Sequence, residues 1–148
     1  MVAEVYLASR KAFLPYAPVA HPDEEVRRWI AEQLIPGGDV WIAAIAGVIA
    51  GMMALARNGD TGWINQLYIH PNQVKRGIGR LLLRRAKREM GAPIRLYTFL
   101  QNAAARCFYE QHGFRAVAFS DGSGNEEKMA DVLYEWDDGA RAMVDPSR

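Results

Sequence analysis

Seventeen consecutive uncharged residues, VWIAAIAGVIAGMMALA at positions 40 to 56, lie between Asp39 and Arg57 and constrain the fold more than any other stretch of the chain. A run this apolar has to leave water, either into a bilayer or into a protein core. Its length sits at the lower edge of what a membrane-spanning helix needs. Ala46-Gly47 near its middle suits a two-residue hairpin turn, which divides the run into two strand-length halves. The expectation is therefore a buried β-hairpin with no membrane association. Asn58-Gly59-Asp60 supplies a second turn, and TGWINQLYIH reads as the next strand of an antiparallel meander.

The elements on either side follow from periodicity and punctuation. Apolar groups at Val5, Ala8, Ala12 and Tyr16 predict a helix within residues 3 to 17, which Pro18 cannot continue. The run DEEVRRWIAEQL opens with three acids suited to a helix N-terminus, and Pro36-Gly37-Gly38 stops it. A glycine-bearing stretch from Gln73 to Gly79 leads into GRLLLRRAKREM, where Ile78, Leu82, Ala86 and Met90 share one face. IRLYTF reads as a strand. Asn102 fits the N-cap of a helix AAARCFYEQH closed by Gly113. FRAVAFS and DVLYEW are strands on either side of a loop, DGSGNEE, and the tail from Asp138 is expected to fray. Two helices, three strands, a helix, a strand, a helix and two strands predict a mixed α/β sheet in a single domain over residues 1 to 148.

Charge and cysteine usage narrow the function classes. Eighteen Lys and Arg against seventeen Asp and Glu leave a formal charge of +1, which gives the molecule no overall pull on nucleic acid or membrane. Cys107 is the only cysteine, which excludes an intrachain disulfide and a cysteine cluster for metal, and points to a reducing, cytoplasmic setting. The opening MVAEVYLASRKAFLPYA lacks the apolar core and small-residue cleavage site of a secretory signal. No metal site is expected.

The turn Val74-Lys75-Arg76-Gly77-Ile78-Gly79 stands between a strand and a helix, where glycines let backbone approach an anion and the helix N-terminus presents unpaired N–H groups. Without a following Gly-Lys-Ser/Thr it is not a Walker loop, and Leu82 at the third glycine position excludes the dinucleotide fingerprint. By itself it is a phosphate site or a tight connection whose glycines serve a positive φ. Its surroundings are more specific. NQLYIHPNQVKRGIGRLLLRRA resembles the pyrophosphate-binding motif of the GNAT superfamily of acyl-CoA N-acyltransferases, Q/R-x-x-G-x-G/A after a strand and a proline, and NAAARCFYEQHGF resembles that superfamily's second motif. The resemblance covers roughly residues 4 to 136. It departs at Val74, where the motif has Gln or Arg, so a side-chain contact to the cofactor usual in the family is absent. It also lacks the usual first strand before the first helix, which would bare a sheet edge and favour a homodimer.

The resemblance implies a mixed, mostly antiparallel central sheet flanked by helices, and transfer of an acetyl group from acetyl-CoA to a primary amine, on a small molecule or a peptide, through a tetrahedral intermediate. It implies that Leu67-Tyr68-Ile69 splays from Tyr97-Thr98-Phe99, with the pantetheine arm in the gap and a backbone N–H near Leu67 polarising the thioester. The cofactor-binding set carried over is Leu67, Tyr68, Ile69, Val74, Lys75, Arg76, Gly77, Ile78, Gly79, Arg80, Asn102, Ala105 and Tyr109. Tyr109 would be the general acid that protonates the departing thiolate. From spacing alone it lies at the edge of a stripe made by Ala104, Cys107 and Phe108, which equally suits a boundary tyrosine whose hydroxyl meets water. Asn102 is read first as a cap and second as a cofactor contact. Cys107 reads as a small buried hydrophobe.

A general base is needed because an alkyl ammonium with a pKa near ~10.4 is almost wholly protonated at neutrality. Asn65 and Gln66 stand where relatives often place a Glu, and amides cannot take the proton. The candidates are Glu126, Glu127, Asp131, His21 and His70, with Glu126 acting through water preferred. Arg76 and Arg80 would face the phosphates of coenzyme A, leaving Arg84, Arg85, Lys87 and Arg88 as a solvated face. The alternative readings are a non-catalytic coenzyme A-binding module and a nucleic-acid-binding module on the same fold.

Overall fold

In a computed structural model the protein is described over residues 2–13, 22–35, 39–74, 77–124 and 128–137. Helix α1, Val2–Phe13, is followed by α2, Asp23–Trp29, whose last turns widen to a π-helix over Ile30–Leu34. The acids Asp23, Glu24 and Glu25 sit in the first turn of α2, where the helix N-terminus favours negative charge. Ion pairs from Lys11 to Asp23 and from Arg27 to Glu4 join the two helices at the surface. The buried face of α1 differs from the expected one. Val5, Leu7 and Ser9 are buried, whereas Ala8 is half-buried and Ala12 exposed, because the helix lies against two strands that share its contact surface. Tyr16 and Pro18 lie outside the described residues.

The long apolar run is a hairpin of β1, Asp39–Ile45, and β2, Val48–Asn58. Ala46 and Gly47 both take positive φ, 52° and 81°, the geometry of a type I′ turn that matches the twist of the strands it joins. No described helix is long and apolar enough to cross a membrane. The meander continues with β3, Thr61–Ile69. After a 3₁₀ turn, Pro71–Gln73, come α3, Ile78–Met90; β4, Ile94–Phe99; α4, Ala103–Gln111; β5, Phe114–Ser120; and β6, Asp131–Trp136. The sheet has six strands in the order β1-β2-β3-β4-β6-β5, antiparallel throughout except for the parallel β3–β4 pair that α3 connects. No described strand pairs with the outer edge of β1.

Alternation along β2 builds a core on each face. Met53 and Leu55 join Leu82, Leu83 and Ala86 of α3, with Leu96, Val132 and Tyr134 behind them. Met52 and Ala54, equally buried, turn the other way, toward α1, where Val5, Leu7 and Ile30 are also out of solvent. The sheet therefore separates an α1–α2 side from an α3–α4 side.

Candidate active site

The site begins with a defect in the ladder. On β3, Ile64 pairs with Leu55 and Gln66 with Ala54, so Asn65 is an extra residue without a partner on β2. Such a bulge bends the strand and increases its twist. On its other edge, β3 pairs with β4 only through Gly62–Ile94 and Trp63–Arg95, and beyond these the two strands separate. Leu67-Tyr68-Ile69 and Tyr97-Thr98-Phe99 thus face each other across a gap, with alternate backbone groups of β3 directed into it. A cavity of about 1100 Å³ occupies this gap. Tyr6, Arg10 and Trp29 line it from the α1–α2 side, and Gly79, Phe108 and Tyr109 from the α3–α4 side, so it passes through the sheet.

At the α3 end, Gly77 is the N-cap with φ 79°, a left-handed conformation that a side chain resists, and nothing lies within 4 Å of where its Cβ would stand. The need for glycine there is conformational. At Gly79 the backbone comes close to α4, and an added Cβ would lie 3.2 Å from Cζ of Phe108, a contact to which the ring would have to yield by a few tenths of an ångström. Ile78 between them drives its side chain into the core, so only its backbone remains for a ligand. Val74, Gly77, Gly79 and Arg80 all line the cavity; Lys75 and Arg76 lie outside the described residues. The remaining basic groups of α3 are not a uniform solvated face. Arg84 and Arg88 are exposed, but Arg85 lies over Trp41 and pairs with Glu89. Lys87 is half-buried, donates to the His112 carbonyl at 2.6 Å and sits over the Trp136 ring, because this side chain spans the groove between α3 and β5.

At the α4 end, the Asn102 side chain accepts the Ala105 N–H at 3.1 Å, the expected cap, and both residues line the cavity. The two readings of Asn102 coexist in one geometry. Asn102→Ala should cost about 1 kcal/mol of stability, seen as a lowered melting temperature without ligand. The stripe on α4 is corrected. Cys107 is exposed, with its sulfur accepting from Gln111, and Ala104 is exposed as well, whereas Tyr109 is the buried residue of the helix at 8% exposure. The reason is that α4 is only two and a half turns long and rests on β5 and β6 through Tyr109, whose ring meets Phe108, Phe114 and Tyr134 at 5.3, 5.7 and 6.2 Å. Burial pushes the Tyr109 phenol well above its ordinary range, so it carries its proton at neutral pH. Tyr68, from the opposite face, is also raised by burial, with Tyr6 adding to the shift and Arg10 opposing it.

A family model described as the acetyltransferase (GNAT) family matches residues 6–114. The chain belongs to the GNAT acetyltransferase family. It is accordingly an acyl-CoA-dependent N-acetyltransferase, with acetyl-CoA as its co-substrate. This GNAT protein shares its fold with the PaiA N-acetyltransferase of Thermoplasma acidophilum, solved in complex with coenzyme A, at 22% identity and a TM-score of 0.67, over 91% of this chain and 89% of that one. Apo YjaB of Escherichia coli is similar at 18% identity and a TM-score of 0.71, over 91% and 88%. The ribosomal-protein-S18-alanine N-acetyltransferase of Escherichia coli is similar at 16% identity and a TM-score of 0.64, over 90% and 84%. No curated protein sequence matches the chain.

Among the candidate bases, Asp131 lines the cavity. Glu126, Glu127 and His21 lie outside the described residues. His70 is outside the cavity lining, and its Nδ1 accepts the Asn72 N–H at 3.2 Å. Sequence reasoning passed over several lining residues: Tyr6, Ser9 and Arg10 of α1, Glu25 of α2, and Gln73. For Tyr6 and Arg10 no local signal existed, since the direction of the α1 face is decided by how the helix docks.

Proposed function

We propose that this GNAT enzyme acetylates a primary amine that enters from the α1–α2 side of the gap, while acetyl-CoA lies against the α3–α4 side. Acetyl-CoA supplies a thioester whose acyl carbon the amine can attack directly. Tyr109 holds a proton at its phenolic oxygen and delivers it to the departing sulfur. Backbone N–H groups of β3 around Leu67, freed from the ladder by the separation of β3 and β4, stabilise negative charge on the thioester oxygen. Gly77, Ile78, Gly79 and Arg80 hold the diphosphate end through the start of α3, and Lys75 and Arg76 belong to the same proposed cofactor-binding set. Asp131 lines the cavity where the amine would lose its proton; Glu126, acting through water, is the other acid of the proposal.

The observation that carries this reading is the loss of β3–β4 pairing after Trp63, with a buried, protonated Tyr109 beside the opening. The test is stabilisation followed by turnover. Acetyl-CoA at a hundredfold over its Kd should stabilise the fold by about 2.7 kcal/mol, and free thiol should appear when amines from a broad panel are added. Stabilisation with no thiol release from any amine would favour the non-catalytic module. Stabilisation by an oligonucleotide, lost with salt, and none by coenzyme A would favour the nucleic-acid reading.

A further inference from the structure

One residue that lines the cavity carries a buried polar atom with no partner. Gln73 closes the 3₁₀ turn between β3 and α3 and lines the cavity. Its Oε1 is the single buried side-chain nitrogen or oxygen among the described residues that has no hydrogen-bond partner. Its backbone N–H donates to the His70 carbonyl at 2.8 Å, so the turn closes without help from the carboxamide. A buried acceptor without a donor destabilises the protein that carries it, and such groups call for an explanation. Val74, the next residue, stands where the family motif has Gln or Arg, and a valine side chain offers no hydrogen bond.

We infer that Gln73 is a cofactor-binding residue whose Oε1 accepts a hydrogen bond from the pantetheine arm of coenzyme A, replacing by a different route the side-chain contact that Val74 lacks. The chemistry selects the arm. An unpaired oxygen needs a donor; the ionised diphosphate has none, whereas the pantetheine arm carries two amide N–H groups and a hydroxyl. Gln73 as a whole is only half-buried and the terminal torsion of a glutamine is broad, so this contact requires the carboxamide to rotate as the cofactor binds, carrying Oε1 from its buried position to the cavity. The free protein holds this acceptor unpaired and the bound protein satisfies it.

The inference rests on the acyltransferase reading, and Gln73→Met separates the two, because methionine keeps the length of the side chain and removes the acceptor. Without ligand, the variant should melt at the wild-type temperature or above it, since an orphaned oxygen has been replaced by an apolar group of similar shape. Calorimetric titration with coenzyme A should show its Kd raised about tenfold, the loss expected for one hydrogen bond. Equal affinity in variant and wild type would overturn the role of Gln73 while leaving the cofactor site in place. A fall in the melting temperature of the unliganded variant would mark Gln73 as structural and overturn it as well. Wild-type protein that gives no heat with coenzyme A would remove the site itself.

Discussion

Tyr109→Phe should lower the maximal acetylation rate by a factor of about 10² to 10⁴, the contribution typical of a positioned general acid, while leaving the affinity for acetyl-CoA unchanged. The substitution removes one oxygen and retains the ring that packs against Phe108, Phe114 and Tyr134, so α4 keeps its seat on β5 and β6. Steady-state rates paired with calorimetric Kd values check both halves. The pH dependence gives a second handle. A proton donor must be in its protonated form, and a phenol raised by burial loses its proton only above the ordinary value near ~10. The wild-type rate should therefore rise with pH as more amine is deprotonated, with no falling limb below about pH 10. An unchanged maximal rate in the variant, or a falling limb near neutrality that Tyr109→Phe abolishes, would contradict the assignment.

Tyr134→Ala should destabilise the fold by about 3–5 kcal/mol, the usual cost of emptying a buried aromatic site. That is a large share of the roughly 5–15 kcal/mol by which domains are stable. Tyr134 on β6 is fully out of solvent and sits behind the Tyr109 ring. Its hydroxyl donates to the Glu110 carboxylate at 2.6 Å and accepts from the Arg106 guanidinium at 3.0 Å, tying β6 to two successive turns of α4. Tyr134→Phe keeps the ring and loses only these bonds, at about 1.5–3 kcal/mol because their partners are charged. Midpoints of urea unfolding at constant slope measure both. Since Tyr134 backs Tyr109, the alanine variant should also lose rate at temperatures where it is still folded. The phenylalanine variant should lose far less.

Much of the architecture was legible because it is set locally. The hairpin was announced by Ala46-Gly47 in an apolar run, the α3 face by Ile78, Leu82 and Ala86 at helical spacing, and the α4 start by Asn102. Each depends on backbone preferences over a few residues, and these survive folding. The α4 stripe failed for the opposite reason. Ala104, Cys107 and Phe108 have the right chemistry for burial, but a helix this short can dock along any of several directions, and the aromatic partners Phe114 and Tyr134 rotated it onto Tyr109. The same applies to α1, where Leu7 and Ser9 are buried instead of Ala8 and Ala12.

The sequence by itself determined the element order, the turns, the glycine-bearing entry to α3 and the motif residues that mark a GNAT acetyltransferase, because these are properties of short segments. Only the tertiary structure decided that a bulge at Asn65 and the loss of pairing after Trp63 open a passage through the sheet, and that Tyr109 and Gln73 look into it. The physical reason is that a gap between strands is a relation between two ladders. No periodicity within either strand encodes where the hydrogen bonds between them stop.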